Sequence, residues 1–345
     1  MSDRRVTIVV VPREQFSKTR ASLESVFAST PPPFELIYVD GRSPPSVRWY
    51  LEEQAEARGF RLVRTDRYLP ANEARNLALA EVRTEYVAFL DNDVFVLPGW
   101  LHALVRCADE TGASAVGPLY CFGRDGSSGE PVLVHTAGAS LSLERDGDHR
   151  YRERHLHVNR PLAEVRAQLC RMEIGLVEFH CMLVRTSVFD RTGPLDEELL
   201  SFFDHVDFCL AVHEAGGSVY LEPEALVTHL APPPFEWGDV PYFLLRWSDA
   251  WLQPSIRRFA GKHRLSTSDA GFADHVSFRD EHRRRLISGW RRHILSRLGD
   301  LGLRVANRAD RLMFDLCLEH AVVRPFLDRR RRTDAERRPL TDASG

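Results

Sequence analysis

The sequence predicts an α/β protein: a mostly parallel central sheet with flanking helices, then a helical C-terminal extension. Two observations carry this reading. Across the first 120 residues, short apolar runs alternate with segments of helical period, as expected for strands buried on both faces. After the Pro232-Pro233-Pro234 run the alternation stops and helical stripes take over.

In order, VTIVVV (6–11) reads as a first strand, and 17–29 as a helix with Leu23, Val26 and Phe27 on one side. FELIYVD (34–40) is a second strand, 47–57 a helix and FRLVRT (60–65) a third strand. A helix over 71–82 leads into EYVAFLD (85–91), a helix over 100–111 and a strand over 113–119. Right-handed crossovers then place the ends at 11–13, 40–41 and 91–93 on one carboxyl edge, where open α/β sheets bind ligands. Residues 120–175 break the pattern with turns, short strands and arginine, the kind of excursion that shapes a site. A strand over 177–185 follows, then a helix near 204–215 and a strand pair at 218–223 and 225–230. Helices are expected over 242–259, 278–298 and 303–323, and the tail 329–345 reads as disordered. The expected organisation is a catalytic unit over 1–235, a helical region over 236–328 and that tail.

Composition narrows the function. A chain of 345 residues suits one large domain or two ordinary ones, and a net charge of −3 makes no general case for nucleic acid. The apolar run near the N-terminus is too short for a signal peptide and no stretch approaches the roughly 20 apolar residues that span a bilayer. The six cysteines are dispersed, as expected of a reduced, cytoplasmic protein. The first strand–helix junction, VVVPREQFSKTRASL, has no glycine, which argues against a dinucleotide-binding turn, and no Walker-type phosphate loop is present.

The chemistry-bearing candidates sit at strand ends. Asp40 precedes Gly41 and could accept from a base or ribose, or merely close a turn. Asn72, Arg75 and Asn76 share a helical neighbourhood. Asp91 and Asp93, two apart beyond an apolar run, could hold a divalent metal or form a turn; hard oxygen ligands suit Mg²⁺ or Mn²⁺ bridged to a substrate phosphate.

These segments, in this order, resemble the family 2 inverting glycosyltransferases with a GT-A fold. The resemblance rests on the VVVP strand, YVDGRS, NEARNLAL, LDNDV, VRTSVFDRTGPLDEEL, FFDHVDFCLAVHEAGG and the strand pair ending in VTH, spanning 4–230. It implies that Pro12, Asp40, Asn72, Arg75, Asp91 and Asn92 bind the nucleotide, and that Asp91, Asp93 and His229 hold Mn²⁺ or Mg²⁺. Thr136-Ala137-Gly138 and His180-Cys181-Met182 would line the sugar or acceptor pocket. Where the family places its catalytic aspartate this chain has His205, between Asp204 and Asp207. A histidine near its ordinary pKa can serve as a base, with either aspartate orienting it or replacing it. The family arginine four residues after Asp207 is Ala211 here.

The implied reaction moves sugar from a nucleoside-diphosphate donor, UDP-linked by family habit, to a hydroxyl acceptor by single displacement. The acceptor stays open among a glycan, a lipid-linked sugar, a small metabolite and a peptide. The C-terminal helices could serve a homodimer or a peripheral membrane contact. Two other readings are a catalytically inactive glycosyltransferase-like partner and a sugar nucleotidyltransferase; the latter lacks the glycine-rich basic loop that holds a triphosphate.

Overall fold

A computed structural model describes residues 5–123, 132–144, 150–229, 236–268, 270–285 and 324–325. The first half alternates strictly: β1 (Val6–Val11), α1 (Thr19–Ser29), β2 (Glu35–Gly41), α2 (Pro45–Arg58), β3 (Arg61–Thr65), α3 (Ala71–Leu79) and β4 (Tyr86–Asp91). A short β5 (Val94–Val96), α4 (Trp100–Thr111) and β6 (Ala115–Phe122) follow. The excursion contains β7 (Leu133–Thr136), the β8 (Ala139–Glu144) and β9 (Arg150–His155) pair, one turn of α5 (Leu162–Val165) and β10 (Met172–Glu173). Then come β11 (Cys181–Arg185), α6 (Phe189–Thr192), α7 (Asp204–Glu214), β12 (Val219–His229), α8 (Val240–Arg246), α9 (Asp249–His263) and α10 (Ala270–Arg285).

The sheet runs β10-β12-β6-β11-β4-β1-β2-β3, with β5 on β12 and β7 on β6. Strands β3, β2, β1 and β4 are parallel, and Val11 lies opposite Asp91. The expected carboxyl edge therefore exists. Successive residues of each strand serve opposite faces. Val9, Val11, Val87 and Phe89 pack with α3, α7 and α9 on one side. Ile8, Val10, Ala88 and Leu90 pack with α1, α2 and α4 on the other.

The second half departs from expectation in three places. Strand β11 lies between β4 and β6 and is antiparallel to both. Met182, Leu183 and Val184 are buried on both faces, and a uniformly apolar run carries no mark of direction. The strand expected over 177–185 begins only at Cys181; Val177 and Phe179 enter the core, whereas Glu178 and His180 reach a cavity. The strand pair expected over 218–230 is one strand, β12, bent by a register shift between Glu222 and Leu226.

The helix expected over 242–259 is two, α8 and α9, separated at Trp247-Ser248. Leu252, Ile256 and Phe259 of α9 and Phe272 of α10 share a core with β9 and α7, so one continuous core crosses the expected boundary at 235/236. The remainder of the helix expected over 278–298, the 303–323 helix and the 329–345 tail lie outside the described residues. Among the described residues, no helix is long and apolar enough to cross a membrane.

Candidate functional site

The carboxyl edge is held together mainly by its own polar side chains. Asn92 accepts from the Arg13 backbone N–H at 2.8 Å and donates toward Gln15 O and Thr19 Oγ1, both at 3.2 Å. Its amide thus clamps the turn after β4 to the chain leaving β1. Pro12 contributes a carbonyl 3.4 Å from the Tyr242 hydroxyl, which lies 2.8 Å from Leu69 O. Asp40 accepts from the backbone N–H and hydroxyl of Ser43, both at 2.9 Å, and from Arg64. Burial raises its pKa against those bonds. Asp40 is thereby committed to the β2–α2 corner.

Arg75 joins the two halves. It is fully buried on α3 and donates to Asp204 Oδ2 at 2.7 Å, Asn72 Oδ1 at 3.1 Å and Asp91 Oδ1 at 3.3 Å. Its guanidinium lies 4.1 Å from the Phe179 ring centroid. Asn72 also donates to Asp196 O, and Asn76 to Leu195 O, which pins the loop before α7. Arg75 therefore spaces Asp91 from Asp204 instead of lining the cavity.

Asp91 and Asp93 differ sharply. Asp91 accepts from His180 Nδ1 at 2.8 Å and lies 3.6 Å from Arg13 Nε. Burial opposes its ionisation, but His180, Arg13 and Arg75 bring its pKa below the ordinary value. Asp93 is equally buried, yet neither carboxylate oxygen has a partner among the described residues. Burial first, then the charges of Glu14 and Asp91, push its pKa up to about 8. His229 is one strand away: it pairs with Val94 in the β12–β5 ladder, beside Asp93. Burial lowers its pKa to about 4, so the ring is neutral, with Nδ1 3.0 Å from the Tyr120 hydroxyl. An orphaned carboxylate and a neutral imidazole, carried just before β5 and on its partner strand β12, are donor types that suit a divalent cation.

A cavity of about 1370 Å³ opens above this edge. Its wall includes Arg13, Glu14, Tyr120, His135, Glu153, His155, Glu178, His180, Asp204, His205 and His229, with Trp247, Phe278 and His282 from the C-terminal helices. His205 Nδ1 lies 3.3 Å from Asp204 Oδ1 and its Nε2 lies 3.9 Å from Glu153 Oε1. Burial works against its charge, but those two carboxylates win and hold the pKa up at about 10. The expectation of a near-neutral histidine thus fails: His205 is a cation at neutral pH. Asp204 is held well below the ordinary carboxylate range, against burial, by His205 and Arg75. Asp207 faces elsewhere and accepts from Lys262 at 2.7 Å and His263 at 2.8 Å on α9.

Of the other expected pocket residues, His180 lines the cavity, whereas Cys181 and Met182 are β11 core residues. Thr136, Ala137 and Gly138 are buried behind Glu178 and His180; Thr136 Oγ1 lies 2.9 Å from His155 Nδ1. Gly138 has φ +76, and a Cβ there would meet Ile174 Cδ1 at 2.2 Å, so that corner requires glycine. Sequence reasoning missed His135, Glu153, His155 and Glu178. Alternation in Val177-Glu178-Phe179-His180 was the available signal for Glu178. The rest depend on how the excursion folds.

Comparison with known proteins agrees with this architecture. The family model "Glycosyl transferase family 2" matches residues 7–193. An uncharacterized protein of Sinorhizobium fredii is 29% identical over 233 residues, covering 65% of this chain and 24% of its own length. The pre-mycofactocin glycosyltransferase of Mycobacterium tuberculosis is 31% identical over 157 residues, covering 45% of this chain and 29% of its own. The chain thus spans less than a third of the curated relatives it matches. The crystal structure of GalNAc-T7 with UDP, GalNAc and Mn²⁺ superposes with a TM-score of 0.51 at 14% identity, covering 80% of this chain and 57% of that one. That likeness shows the fold, which is of the GT-A kind. With more than half of its 345 residues matched, the chain belongs to glycosyl transferase family 2.

Proposed function

We propose that the protein transfers a sugar from a nucleoside-diphosphate donor, with a UDP-sugar the first candidate, to a hydroxyl acceptor by a single inverting displacement. The observation that carries this reading is Asp93, a buried carboxylate with both oxygens unpartnered among the described residues, one residue before the Val94 that pairs with neutral His229. Mn²⁺ or Mg²⁺ bound there would neutralise charge on the departing diphosphate. The mycobacterial relative is a glycosyltransferase by name, and the GalNAc-T7 crystal contains UDP and Mn²⁺, in keeping with this chemistry.

The chain's own residues divide the remaining work. Arg13, on the cavity wall, supplies positive charge for a diphosphate, while Asp91 is held by His180 and Arg75. Asp204 lines the cavity as an ionised carboxylate and is assigned the base that takes the acceptor proton. His205, as a cation, orients Asp204 and does not itself accept that proton. Asp207 is spent on Lys262 and His263, so it takes no part. The segment 1–235 would bind the donor, and the excursion with the helices after 236 would shape the acceptor side, since both contribute to the wall.

A thermal-shift screen of nucleotide sugars with and without Mn²⁺ tests the donor and metal together. A manganese-dependent rise with one donor, abolished in Asp93→Ala, is the expected result; no shift with any donor removes the reading. One observation favours a second reading, a binding protein without turnover: Asp204 is tied to both Arg75 and His205 and is a weak base in that state. Manganese-dependent donor binding with no donor hydrolysis and no transfer to any acceptor would select it.

A further inference from the structure

We propose that His135, Glu178 and His180 form a second metal site, separate from Asp93 and His229, for a divalent transition ion of the Zn²⁺ type. The three come from different places: His135 from β7 in the excursion, Glu178 and His180 from the chain entering β11. Glu178 Oε2 lies 3.1 Å from His135 Nε2 and 3.1 Å from His180 Nε2, and all three donor atoms fall within 4.8 Å of one another. Metal–ligand bonds of roughly 2.0–2.1 Å in a tetrahedron place neighbouring donor atoms roughly 3.3 Å apart. The cluster is therefore close to the spacing an ion requires, without rearranging the backbone.

The surroundings orient these side chains. His180 donates from Nδ1 to Asp91 at 2.8 Å, the outer carboxylate that commonly orients a metal-bound imidazole and leaves Nε2 for the ion. The His180 ring stacks on Tyr120 with centroids 4.8 Å apart, and the His135 ring is held edge-on by Tyr120 and Phe122 at 4.8 and 4.5 Å. All three donors line the large cavity, so three protein ligands are present and the remaining position opens to a ligand or water. Two imidazoles and one carboxylate suit zinc, cobalt or iron, whereas Asp93 with oxygens of a donor diphosphate would suit Mn²⁺ or Mg²⁺.

The test titrates Co²⁺ into the metal-stripped full chain and reads the intense visible bands of four-coordinate cobalt, with Zn²⁺ competition as the check. In Asp93→Ala, the bands are expected to persist and Zn²⁺ to erase them. His135→Ala and Glu178→Gln are each expected to lose them while retaining a cooperative thermal transition. If either variant fails to fold, His135→Cys supplies a second reading: a thiolate-to-cobalt charge-transfer band should appear. Absence of the bands in the wild type, their loss in Asp93→Ala, or their survival in both His135→Ala and Glu178→Gln would overturn the site. Loss of manganese-dependent donor binding in Asp93→Ala with the cobalt bands intact would separate this site from the donor site.

Discussion

The carboxyl edge of the first four strands and the cavity wall built after residue 120 treat their polar groups in opposite ways. At the edge, Asp40, Asn72, Asn92 and Asp91 are bonded to neighbouring chain, so their donors and acceptors stabilise loop geometry. On the wall, histidines and carboxylates crowd within interaction range of one another and of open volume. Asp93 belongs to the edge by sequence, yet unlike its neighbours there it is left unpartnered among the described residues. The lesson is that most residues of a recognisable motif build the frame, and the reactive valence is concentrated in the few they leave unpaired.

Removing the tie between the regions should cost most. Arg75→Met removes the buried counter-charge bonded to both Asp91 and Asp204, leaving Asp91 with His180 and Arg13 and Asp204 with His205, and chemical denaturation should show a loss of about 3–5 kcal/mol. Arg75→Lys should recover little, because an ammonium cannot reproduce the forked contacts to two carboxylates. Full retention of stability in Arg75→Met would mean that the two regions are not coupled through this side chain.

On the wall, His205→Gln should destabilise by about 1–3 kcal/mol at neutral pH, since Asp204 and Glu153 lose a cationic neighbour. The sign with pH follows from the raised pKa. A folded-state value of about 10 against an ordinary 6.5 gives stabilisation that is complete below 6.5 and lost as pH rises through about 10. The gap between variant and wild type in thermal unfolding should therefore close at alkaline pH. A pH-independent gap would assign His205 a packing role only.

Asp93 tests the edge in the other direction. With its carboxyl raised to about 8 from 3.8, the folded protein binds that proton more tightly than the unfolded chain does. Metal-free wild type should lose stability as pH rises from 3.8 through about 8, and Asp93→Asn should flatten that slope. Mn²⁺ should stabilise wild type increasingly over the same interval and leave the variant unmoved, as read by melting temperature. The smallest effect is expected at the β2–α2 corner, where Asp40→Asn keeps part of the Ser43 bonding and should cost about 0.5–1.5 kcal/mol. A large, donor-dependent loss of binding in Asp40→Asn would instead return that residue to a nucleotide-binding role.

Legibility followed the same division. Apart from the short β5, the strands and helices through β6, and the shared edge of Val11, Gly41 and Asp91, could be read because short, largely apolar runs alternate with segments of helical period. The direction of β11 could not, because Met182, Leu183 and Val184 bury both faces and read alike in either direction. Asp91 and Asp93 were legible as a pair, but their unlike states were not: His180, which partners Asp91, arrives from 89 residues away. The chemistry of His205 was misjudged for a similar reason, since Glu153 reaches it from the excursion.

The amino-acid sequence by itself determined the α/β class, the position of the ligand-binding edge and the family, because periodicity and ordered motifs are local properties of the chain. Only the tertiary structure decided which carboxylates are spent and which are left open. It also decided that His205 is a cation, and that His135, Glu178 and His180 converge. Ionisation and metal-binding capacity depend on burial and on charges a few ångströms away, and those neighbours come from segments far apart along the chain.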